Sequence, residues 1–325
     1  MTWAIFAINS AELEPYGCSS YTYMLYGSQP YLREPYYQFS EQIIDDYFTN
    51  GGTNPAFSFL TGHGGFLQVA THGFTGFRPR EDAFYLDPSI PPQLADGMEV
   101  RGMKFHGGVF DVNIGLLETT VTRRRTRNKK KDSRGLRVRI GKRNIKMGDY
   151  FLKAGEVLVV PTFRADLNGA TIQGNIAQCK PIVSNGGHVP GQYPVGAVDG
   201  SNTTTWQPTT DKPSAITLDL GEVRPLKGAE LNWGRLPPNK FSILTSTKRP
   251  DESDEGWKEV YVTDRVEITD PYDPDDMLRL RNRVGNTTSV RFGRRDVQGR
   301  WVRLVIEGSK GVSGTGAQVA EFALL

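Results

Sequence analysis

The sequence predicts an α+β protein with several domains, in which helices occupy the first quarter of the chain and antiparallel strands the remainder. Apolar residues recur at helical spacing up to about residue 80. From residue 98 onwards, short segments alternate apolar and polar side chains around glycine turns, which is typical of antiparallel strands. The length of 325 residues allows two or three domains.

Four segments near the start are predicted to be helical, namely residues 3–13, 19–27, 35–48 and 66–77. The third segment carries the longest apolar stripe. Pro35 suits its first turn, where a missing N–H is no loss, and Asn50-Gly51-Gly52 is predicted to end it as a left-handed cap. The residues between the third and fourth segments contain several glycines, so a turn that carries His63 is expected there.

Two β units are predicted after a proline-rich connector. Short strands lie close enough together in residues 98–163 to predict a small antiparallel β-sandwich. The residues that follow have no strong period and are interpreted as a linker. Six further strands separated by turn residues then predict a second antiparallel sandwich with jelly-roll character. The predicted division of the chain is 1–85, 86–163, 164–178 and 179–325.

The charge of the chain is small overall but uneven. The net charge is +3, while residues 123–131, RRRTRNKKK, contain seven basic residues and no acidic one. A solvated hairpin loop between two strands is favoured over a nucleic-acid site, because no aromatic residue is interleaved to stack on bases. No apolar run approaches the ~18 residues of a membrane span. We therefore expect neither a nucleic-acid partner nor a membrane partner.

The cysteines, the first residues and the glycosylation sequences bear on the compartment and modification of the protein. Cys18 and Cys179 lie far apart in the sequence, so neither a disulfide framework nor a zinc site is expected, and we predict no metal and no cofactor. Residues 1–15 lack the basic start and the long apolar core of a signal peptide. Asn202 and Asn286 begin the two N-x-S/T sequences of the chain and are the predicted glycosylation sites.

Three glycine-punctuated strings carry a resemblance that covers about residues 1–163. They are YGCSSYTYMLYGSQPYLREPYYQFSEQIIDDY, GGTNPAFSFLTGHGGFLQVATHGFTGFR and MKFHGGVFDVNIG. The residues of these strings and the order of the strings resemble glycoside hydrolase family 65, and within it the fungal acid trehalases. The resemblance implies a catalytic (α/α)6 barrel followed by a β-sandwich. Eighty residues are too few for twelve helices, so the chain is expected to hold only the last helices of such a barrel.

The last part of the chain resembles a different family. VSNGGHVPGQYPVGAVDGSNTTTWQPTT, at residues 183–210, and GRWVRLVIEG, at 299–308, are similar to discoidin-type (coagulation factor type C) jelly rolls. That fold is often attached to glycosidases as a carbohydrate-binding module. Asp199, in VDGSN, is interpreted as a turn residue, with a calcium-binding loop as the alternative that the resemblance suggests.

The resemblance implies inverting hydrolysis of α,α-trehalose to glucose, with secretion, the cell wall or the vacuole as the location. Inverting glycosidases need a general acid and a general base on opposite faces of the glycosidic bond. By resemblance, the acid lies upstream of these residues. Glu41, in QFSEQ, is the predicted base, although a surface glutamate on a helix remains the alternative. Glu12 and Glu14 rank behind it, because their surroundings depart from the family pattern.

The predicted sugar-binding residues surround the same region. His63 and Gly64, in TGHGG, fit a close approach of backbone to ligand, with a tight turn that holds an incidental histidine as the alternative. Gln38 and Gln68 are further candidates for hydrogen bonds to sugar hydroxyls. Phosphorylases of the same family hold phosphate near this position. PAFSFLTGHGG contains no Lys or Arg, so hydrolysis is favoured over phosphorolysis.

Three functions therefore remain open: a trehalose hydrolase, a non-catalytic carbohydrate-binding protein and a disaccharide phosphorylase. Trehalose or a related carbohydrate is the expected ligand. With most of a barrel absent, the isolated chain is predicted to be inactive. It is also predicted to self-associate through helix faces meant for neighbours, which carry Trp3, Ile43, Tyr47 and Phe48.

Overall fold

The computed structural model describes residues 2–126, 132–249, 256–269, 285–293, 296–310 and 314–325. The chain divides into two compact units, Met1–Asn168 (unit 1) and Gly169–Leu325 (unit 2). In the described residues strands outnumber helices, and the helices of more than one turn all belong to unit 1.

Unit 1 begins with two of the predicted helices. Helix α1 spans Thr2–Leu13 and α2 spans Ser19–Tyr26, so both predictions are confirmed. The buried residues of α1 are Ala4, Ala7, Ile8, Ser10 and Ala11, which form one stripe at helical spacing. Because most of these side chains are small, the axis of α1 can come close to the elements packed against it.

The predicted helix over residues 35–48 is wrong. The segment contains a two-stranded ladder, in which β1 (Leu32–Arg33) pairs with β2 (Gln38–Phe39), and then continues as turns. Side chains hold the backbone carbonyls that a helix would use: Arg33 Nη2 donates to the carbonyl oxygens of Gln42 and Ile43, both at 2.8 Å. The glycines after the segment are left-handed as predicted, with φ of 66° at Gly51.

The predicted glycine turn around His63 is also wrong, because these residues form a helix. Helix α3 spans Leu60–Gln68 and continues as a π-helical turn over Val69–Phe74, so the predicted fourth helix starts earlier than expected. Packing explains the glycines. A Cβ on Gly65 would lie 3.1 Å from the Cβ of Ala4 in α1, and one on Gly62 would lie 3.1 Å from the Phe39 ring.

Two sheets complete unit 1. Their strands are β3 (Phe84–Leu86), β4 (Met98–Phe105), β5 (Gly108–Ile114), β6 (Glu118–Arg123), β7 (Leu136–Ile140), β8 (Gly148–Leu152) and β9 (Val157–Pro161). The sheet orders are β3-β7-β8 and β4-β5-β6-β9. The sandwich is not wholly antiparallel, because β3 runs parallel to β7. The rings of Phe84 and Phe110, one from each sheet, stack at 4.5 Å within a core that also includes Ala4 and Phe74 from the helices.

The basic segment does not form the hairpin that the sequence suggested. Strand β6 ends at Arg123 and β7 begins at Leu136, but the two strands belong to different sheets. Arg123 is buried and donates from Nη1 to the carbonyl oxygen of Leu152 at 2.7 Å, so the first residue of the run is structural. Residues 127–131 of the run lie outside the described residues.

Unit 2 is a two-sheet β-sandwich. Its strands are β10 (Ile182–Ser184), β11 (Ser214–Pro225), β12 (Gly228–Asn232), β13 (Lys240–Ser246), β14 (Lys258–Thr263), β15 (Thr287–Arg291), β16 (Gln298–Glu307) and β17 (Glu321–Leu324). The sheet orders are β10-β11-β16-β13-β14 and β15-β12-β17. All strand pairs of unit 2 among the described residues are antiparallel, as predicted for this part of the chain.

The core of unit 2 lies between its two sheets. Leu304 of β16 pairs with Ile216 on one side and Ile243 on the other, and all three side chains are fully buried. Trp233 and Phe241 pack in the same core with ring centroids 5.0 Å apart. The alternation of apolar and polar residues along the strands thus produces one closed apolar layer.

Two sequence-based expectations outside the sheets can be compared with the structure. Both cysteines, Cys18 and Cys179, are disulfide-bonded, so the expectation that the chain lacks a disulfide is wrong. Among the described residues, no helix is long and apolar enough to cross a membrane.

Candidate functional site

The candidate site in unit 1 is built on the extended segment 56–59, which contacts three of the predicted residues. Gln38 Oε1 accepts a hydrogen bond from Ser58 Oγ at 2.8 Å. Glu41 contacts the backbone of Ala56, and His63 contacts that of Phe59. An isolated β-bridge between Ser40 and Phe57 holds the segment against β2. Gln38, Glu41 and His63 therefore lie along one short stretch of backbone.

Glu41 is an exposed loop residue, not a helix residue. Its Oε2 accepts a hydrogen bond from the Ala56 N–H at 3.0 Å, and its own N–H donates to the Ala56 carbonyl oxygen at 3.0 Å. These two bonds fix both the backbone and one carboxylate oxygen. The other oxygen remains accessible to solvent or to a ligand. The helical setting expected for this residue is absent, and the alternative of a surface glutamate stays open because Glu41 is exposed.

His63 is held in one orientation by both ring nitrogens. Nδ1 lies 2.9 Å from the carbonyl oxygen of Phe59, and Nε2 lies 3.5 Å from the Phe39 N–H. The pattern fits a neutral ring that donates from Nδ1 and accepts at Nε2. The ring also meets the Phe39 ring edge-on, with centroids 4.9 Å apart. Since both nitrogens are engaged, His63 positions its neighbours and has little hydrogen-bonding capacity left for a sugar.

The remaining predicted residues lie on α3. A Cβ on Gly64 would meet nothing within 4 Å, so this glycine faces open space, whereas Gly62 and Gly65 are required by packing. Gln68 is exposed and ends the helix. No hydrogen bond among the described residues connects Gln68 to Glu41 or His63. The structure therefore groups three of the five predicted residues, with Gly64 adjacent in the chain and Gln68 one turn further along.

Other carboxyl groups near the start of the chain have clear structural partners. Glu12 forms an ion pair with Arg78. Asp45 accepts from Arg33 Nε at 2.5 Å and from Ser40 Oγ at 2.6 Å, and these hydrogen bonds lower its pKa. Glu14 differs, because partial burial raises its pKa above the ordinary value. Glu14 is an exposed residue, so this shift alone does not identify it as a catalytic carboxyl group.

The two predicted glycosylation sites have opposite surroundings. Asn202 is partly exposed, and its Oδ1 accepts a hydrogen bond from Asn232 Nδ2 at 2.9 Å. Asn286 is fully buried: its Nδ2 donates to the Gly234 carbonyl oxygen at 3.1 Å and its Oδ1 accepts from the Thr269 N–H at 2.9 Å. A glycan on that Nδ2 has no room in the folded unit. The structure therefore argues against Asn286 and leaves Asn202 as the candidate.

Asp199 and Glu321 form a buried acidic pair that the sequence analysis did not identify. Asp199 accepts hydrogen bonds from the Thr204 hydroxyl at 2.8 Å and from the Ser201 N–H at 2.9 Å, and the latter is the bond of an Asx turn. Glu321 accepts from Asn175 Nδ2 and from the Gly200 N–H. Burial, followed by the Asp199 charge, raises the pKa of Glu321 well above its ordinary value.

These contacts show that Asp199 forms the predicted turn. N–H and O–H donors engage both carboxylates. Within the described residues, no cluster of three or more His, Cys, Asp or Glu side chains is arranged to hold a metal. The only signal for Glu321 in the sequence is an acidic residue inside an otherwise apolar strand, AEFALL.

Comparison with characterised proteins gives matches along the whole chain. A cell wall acid trehalase of Arthroderma benhamiae is 33% identical over 361 aligned residues, which cover 100% of this chain and 34% of the relative. An acid trehalase of Emericella nidulans is 33% identical over 352 residues, again with 100% of this chain and 33% of the relative. The chain is a homologue of the acid trehalases. It spans about a third of the length of these relatives.

A second match concerns unit 2. Residues 183–322 match the F5/8 type C domain family, so the predicted discoidin-type domain is confirmed. Among solved structures, a chitosan-binding module of a chitosanase/glucanase from Paenibacillus sp. IK-5 aligns with 47% of this chain and 99% of that chain. Its identity is 21% and its TM-score 0.36, too low to support an argument about function.

Proposed function

We propose that this chain is part of a glycosidase that hydrolyses α,α-trehalose to glucose. The observation that carries the proposal is the similarity to two acid trehalases at 33% identity over every part of the chain. A binding module alone would not require similarity in unit 1. Because the chain spans about a third of these relatives, the catalytic activity is proposed for a protein that includes further residues.

In this proposal the helices of unit 1 belong to an (α/α)6 barrel and Glu41 is the general base of an inverting reaction. Glu41 takes a proton from water while the water oxygen forms a bond to the anomeric carbon. A carboxylic acid elsewhere in the barrel protonates the departing glycosidic oxygen. One trehalose and one water thus give one β-glucose, from the attacked ring, and one α-glucose. The free carboxylate oxygen of Glu41 is compatible with this role.

The other predicted residues have supporting roles in the same proposal. Gln38 and Gln68 offer amide groups to sugar hydroxyls, and the open space beside Gly64 admits a ligand close to the backbone. His63 is a positioning residue: its ring connects Phe39 to Phe59 and so holds the segment that carries the Glu41 contact. Glu14, which ranked behind Glu41 in the sequence analysis, is the rival base.

Unit 2 is proposed to bind carbohydrate and so to keep the enzyme near its substrate or near a polysaccharide surface. The F5/8 type C match supports this role, and it also supports the second candidate function, a carbohydrate-binding protein without catalysis. An extracellular location is proposed, since one relative is a cell wall enzyme and since disulfide-bonded cysteines persist in oxidising compartments.

The test uses a protein of the relatives' length that contains these residues. Fresh trehalose is added and the glucose anomers are followed by ¹H NMR before they equilibrate. The proposal predicts equal initial amounts of α- and β-glucose, and a loss of about 10²–10⁴-fold in rate for Glu41→Gln. Glu14→Gln is the matched variant and is expected to retain most of the rate. Two α-glucose products, or a dependence of the rate on phosphate, would reject the inverting hydrolysis.

A further inference from the structure

A cavity of about 310 Å³ lies on the outer face of the three-stranded sheet in unit 2. Strand β12 forms its floor between β15 and β17. The segment that includes Thr171 and Ile172 forms one wall, and the loop that includes Gly200 and Asn202 forms another. Its volume is at the lower end of the range of small-molecule sites. It belongs wholly to unit 2 and is separate from the candidate site around Glu41.

Strand register explains why the floor is polar. Along β12, Ala229 and Leu231 point into the core, so Glu230 and Asn232 point outward. Glu230 pairs with Ser289 of β15, and Asn232 pairs with Thr287 of β15 and with Glu321 of β17. Residues that pair directly across a sheet share a face. Two adjacent rows of polar side chains therefore cover this face.

Some polar groups of the cavity are fixed by hydrogen bonds, and others are available to a ligand. Asn232 donates from Nδ2 to Asn202 Oδ1 at 2.9 Å, and its Oδ1 accepts from the Gly234 N–H at 3.0 Å, so its amide is held rigidly. Within the described part of the chain, the Glu230 carboxylate and the Ser289 hydroxyl make no hydrogen bond, and neither does Asn202 Nδ2. The cavity thus contains one fixed amide, that of Asn232, beside the Glu230 carboxylate, the Ser289 hydroxyl and Asn202 Nδ2, which are not used internally.

The chemistry of the lining selects the class of ligand. It contains two glutamates and no Lys or Arg, so an anion is disfavoured. It contains no aromatic ring, so a planar base has nothing to stack on. Hydroxyl and amide groups suit a ligand that offers many hydroxyls, and Ile172 supplies an apolar surface for the carbon-rich side of a sugar ring. Burial also raises the pKa of Glu321, which favours its uncharged form.

We propose that this cavity binds a neutral mono- or disaccharide through Asn202, Glu230 and Ser289. The choice of a saccharide rests on the carbohydrate-binding role proposed for unit 2. The site itself rests on the cavity and its unpaired polar groups. Glu230 is expected to accept hydrogen bonds from two adjacent sugar hydroxyls, while Asn202 Nδ2 donates to a third. The loop that carries Asn202 also carries a glycosylation sequence, so a glycan at that position would compete for the cavity.

Trp233 offers a readout from the core side of the sheet. Its indole Nε1–H donates to the Thr288 hydroxyl at 2.9 Å, and Thr288 lies in β15 between Thr287 and Ser289, which pair with the outward-facing residues of β12. The full, unglycosylated chain labelled with ¹⁵N is titrated with glucose, trehalose and maltose, and the Trp233 indole signal is followed by NMR. Binding at millimolar concentration is expected to shift this signal with saturation. Ser289→Arg, which places a long side chain in the cavity, is expected to weaken binding at least about tenfold.

Val262→Arg is the matched control, because it adds the same charge at an exposed position on a strand of the other sheet. It is expected to leave binding unchanged. The proposal is overturned if no neutral saccharide shifts the signal saturably, if Ser289→Arg binds as well as the unmodified chain, or if Ca²⁺ alone produces the shift and saccharides do not. None of these readouts requires hydrolysis, so a failed trehalase assay with intact binding would reject only the proposed catalytic function.

Discussion

Large aromatic side chains are buried in unit 2 but exposed in the segment 36–67 of unit 1. In unit 2 the large rings of Trp206, Trp233 and Phe322 are almost completely buried between two sheets. In the segment of unit 1, Tyr36 is 82% exposed and Phe48 is 86% exposed. The first region is a complete core. The second presents an apolar surface of the kind that normally contacts another part of a protein.

This difference in burial indicates which functions these 325 residues can perform alone. A sandwich with a closed core can position a binding cavity without help, and unit 2 has such a cavity. The candidate base in unit 1, Glu41, lies within the exposed segment, on a loop whose large apolar side chains are exposed to solvent. Binding is therefore expected to survive in the isolated chain, whereas hydrolysis is expected to need more residues.

The largest expected effect is on stability. Phe241→Ala removes a buried ring beside Trp233 and is expected to lower the free energy of unfolding of unit 2 by about 3–5 kcal/mol. Phe48→Ala, at an exposed position, is expected to change the unfolding free energy by no more than about 0.5 kcal/mol. Urea unfolding followed by far-UV circular dichroism reports on both units, and tryptophan fluorescence adds a signal mainly from unit 2, because four of the five tryptophans lie there. Similar effects of the two changes would contradict the comparison.

A smaller effect is expected from pH and depends on Glu321. The pKa of this carboxyl is raised in the folded state, so the folded chain binds more protons than the unfolded chain between the ordinary pKa and the raised one. The stability that this carboxyl contributes is complete below its ordinary pKa, and it is lost as the pH rises through the raised value. In EDTA, the melting temperature of unit 2 should therefore fall as the pH rises above the ordinary pKa of a glutamate.

The matched variant for this pH dependence is Glu321→Gln, which removes the titrating proton and keeps the size of the side chain. It should flatten the dependence of the melting temperature on pH, even if the lost hydrogen bond lowers stability at every pH. Asp219→Asn is the control, because Asp219 pairs with Arg300 on the other sheet and the pKa of Asp219 is lowered, not raised. A melting temperature of the unmodified chain that rises across this range would contradict the assignment.

Changes in the exposed segment of unit 1 are expected to have the smallest effect on stability. They are expected to have the clearest effect on self-association. Phe48→Ser combined with Leu60→Ser is expected to leave the free energy of unfolding within about 1 kcal/mol of the original, because both side chains are exposed. The same changes should reduce self-association of the isolated chain in sedimentation. Val183→Ser, at an exposed site in unit 2, is the control and should not change it. The prediction is contradicted if the unmodified chain sediments as a monomer.

The sequence predicted the β architecture better than the region of the candidate base. Alternation along β11, β13 and β16 identified buried strands, because a sheet with one apolar face needs that pattern. The stripe at residues 36–48 has helical spacing but forms no helix. Arg33, from outside the stripe, binds the carbonyl oxygens of Gln42 and Ile43. A side chain from outside a periodic segment can thus bind the carbonyl groups that a helix would use. The spacing of apolar residues does not reveal such a contact.

The glycines of α3 show the reverse case. Their number predicted a turn, yet the residues form a helix because Gly65 must face Ala4 and Gly62 must face Phe39 at close range. Sequence composition measures the intrinsic cost of glycine in a helix, but not the packing that compensates for it. The acidic pair of Asp199 and Glu321 was missed for a similar reason, since 121 residues separate the Gly200 N–H from the carboxylate that accepts its hydrogen bond.

The most direct test of the central claim is incubation of the purified 325-residue chain with trehalose, with glucose followed by ¹H NMR. We predict that no glucose is released, while the Trp233 indole signal reports saccharide binding by unit 2. The result that would contradict the account is glucose release by this chain that disappears in Glu41→Gln. Such a result would mean that both carboxyl groups of the active site already lie within these residues.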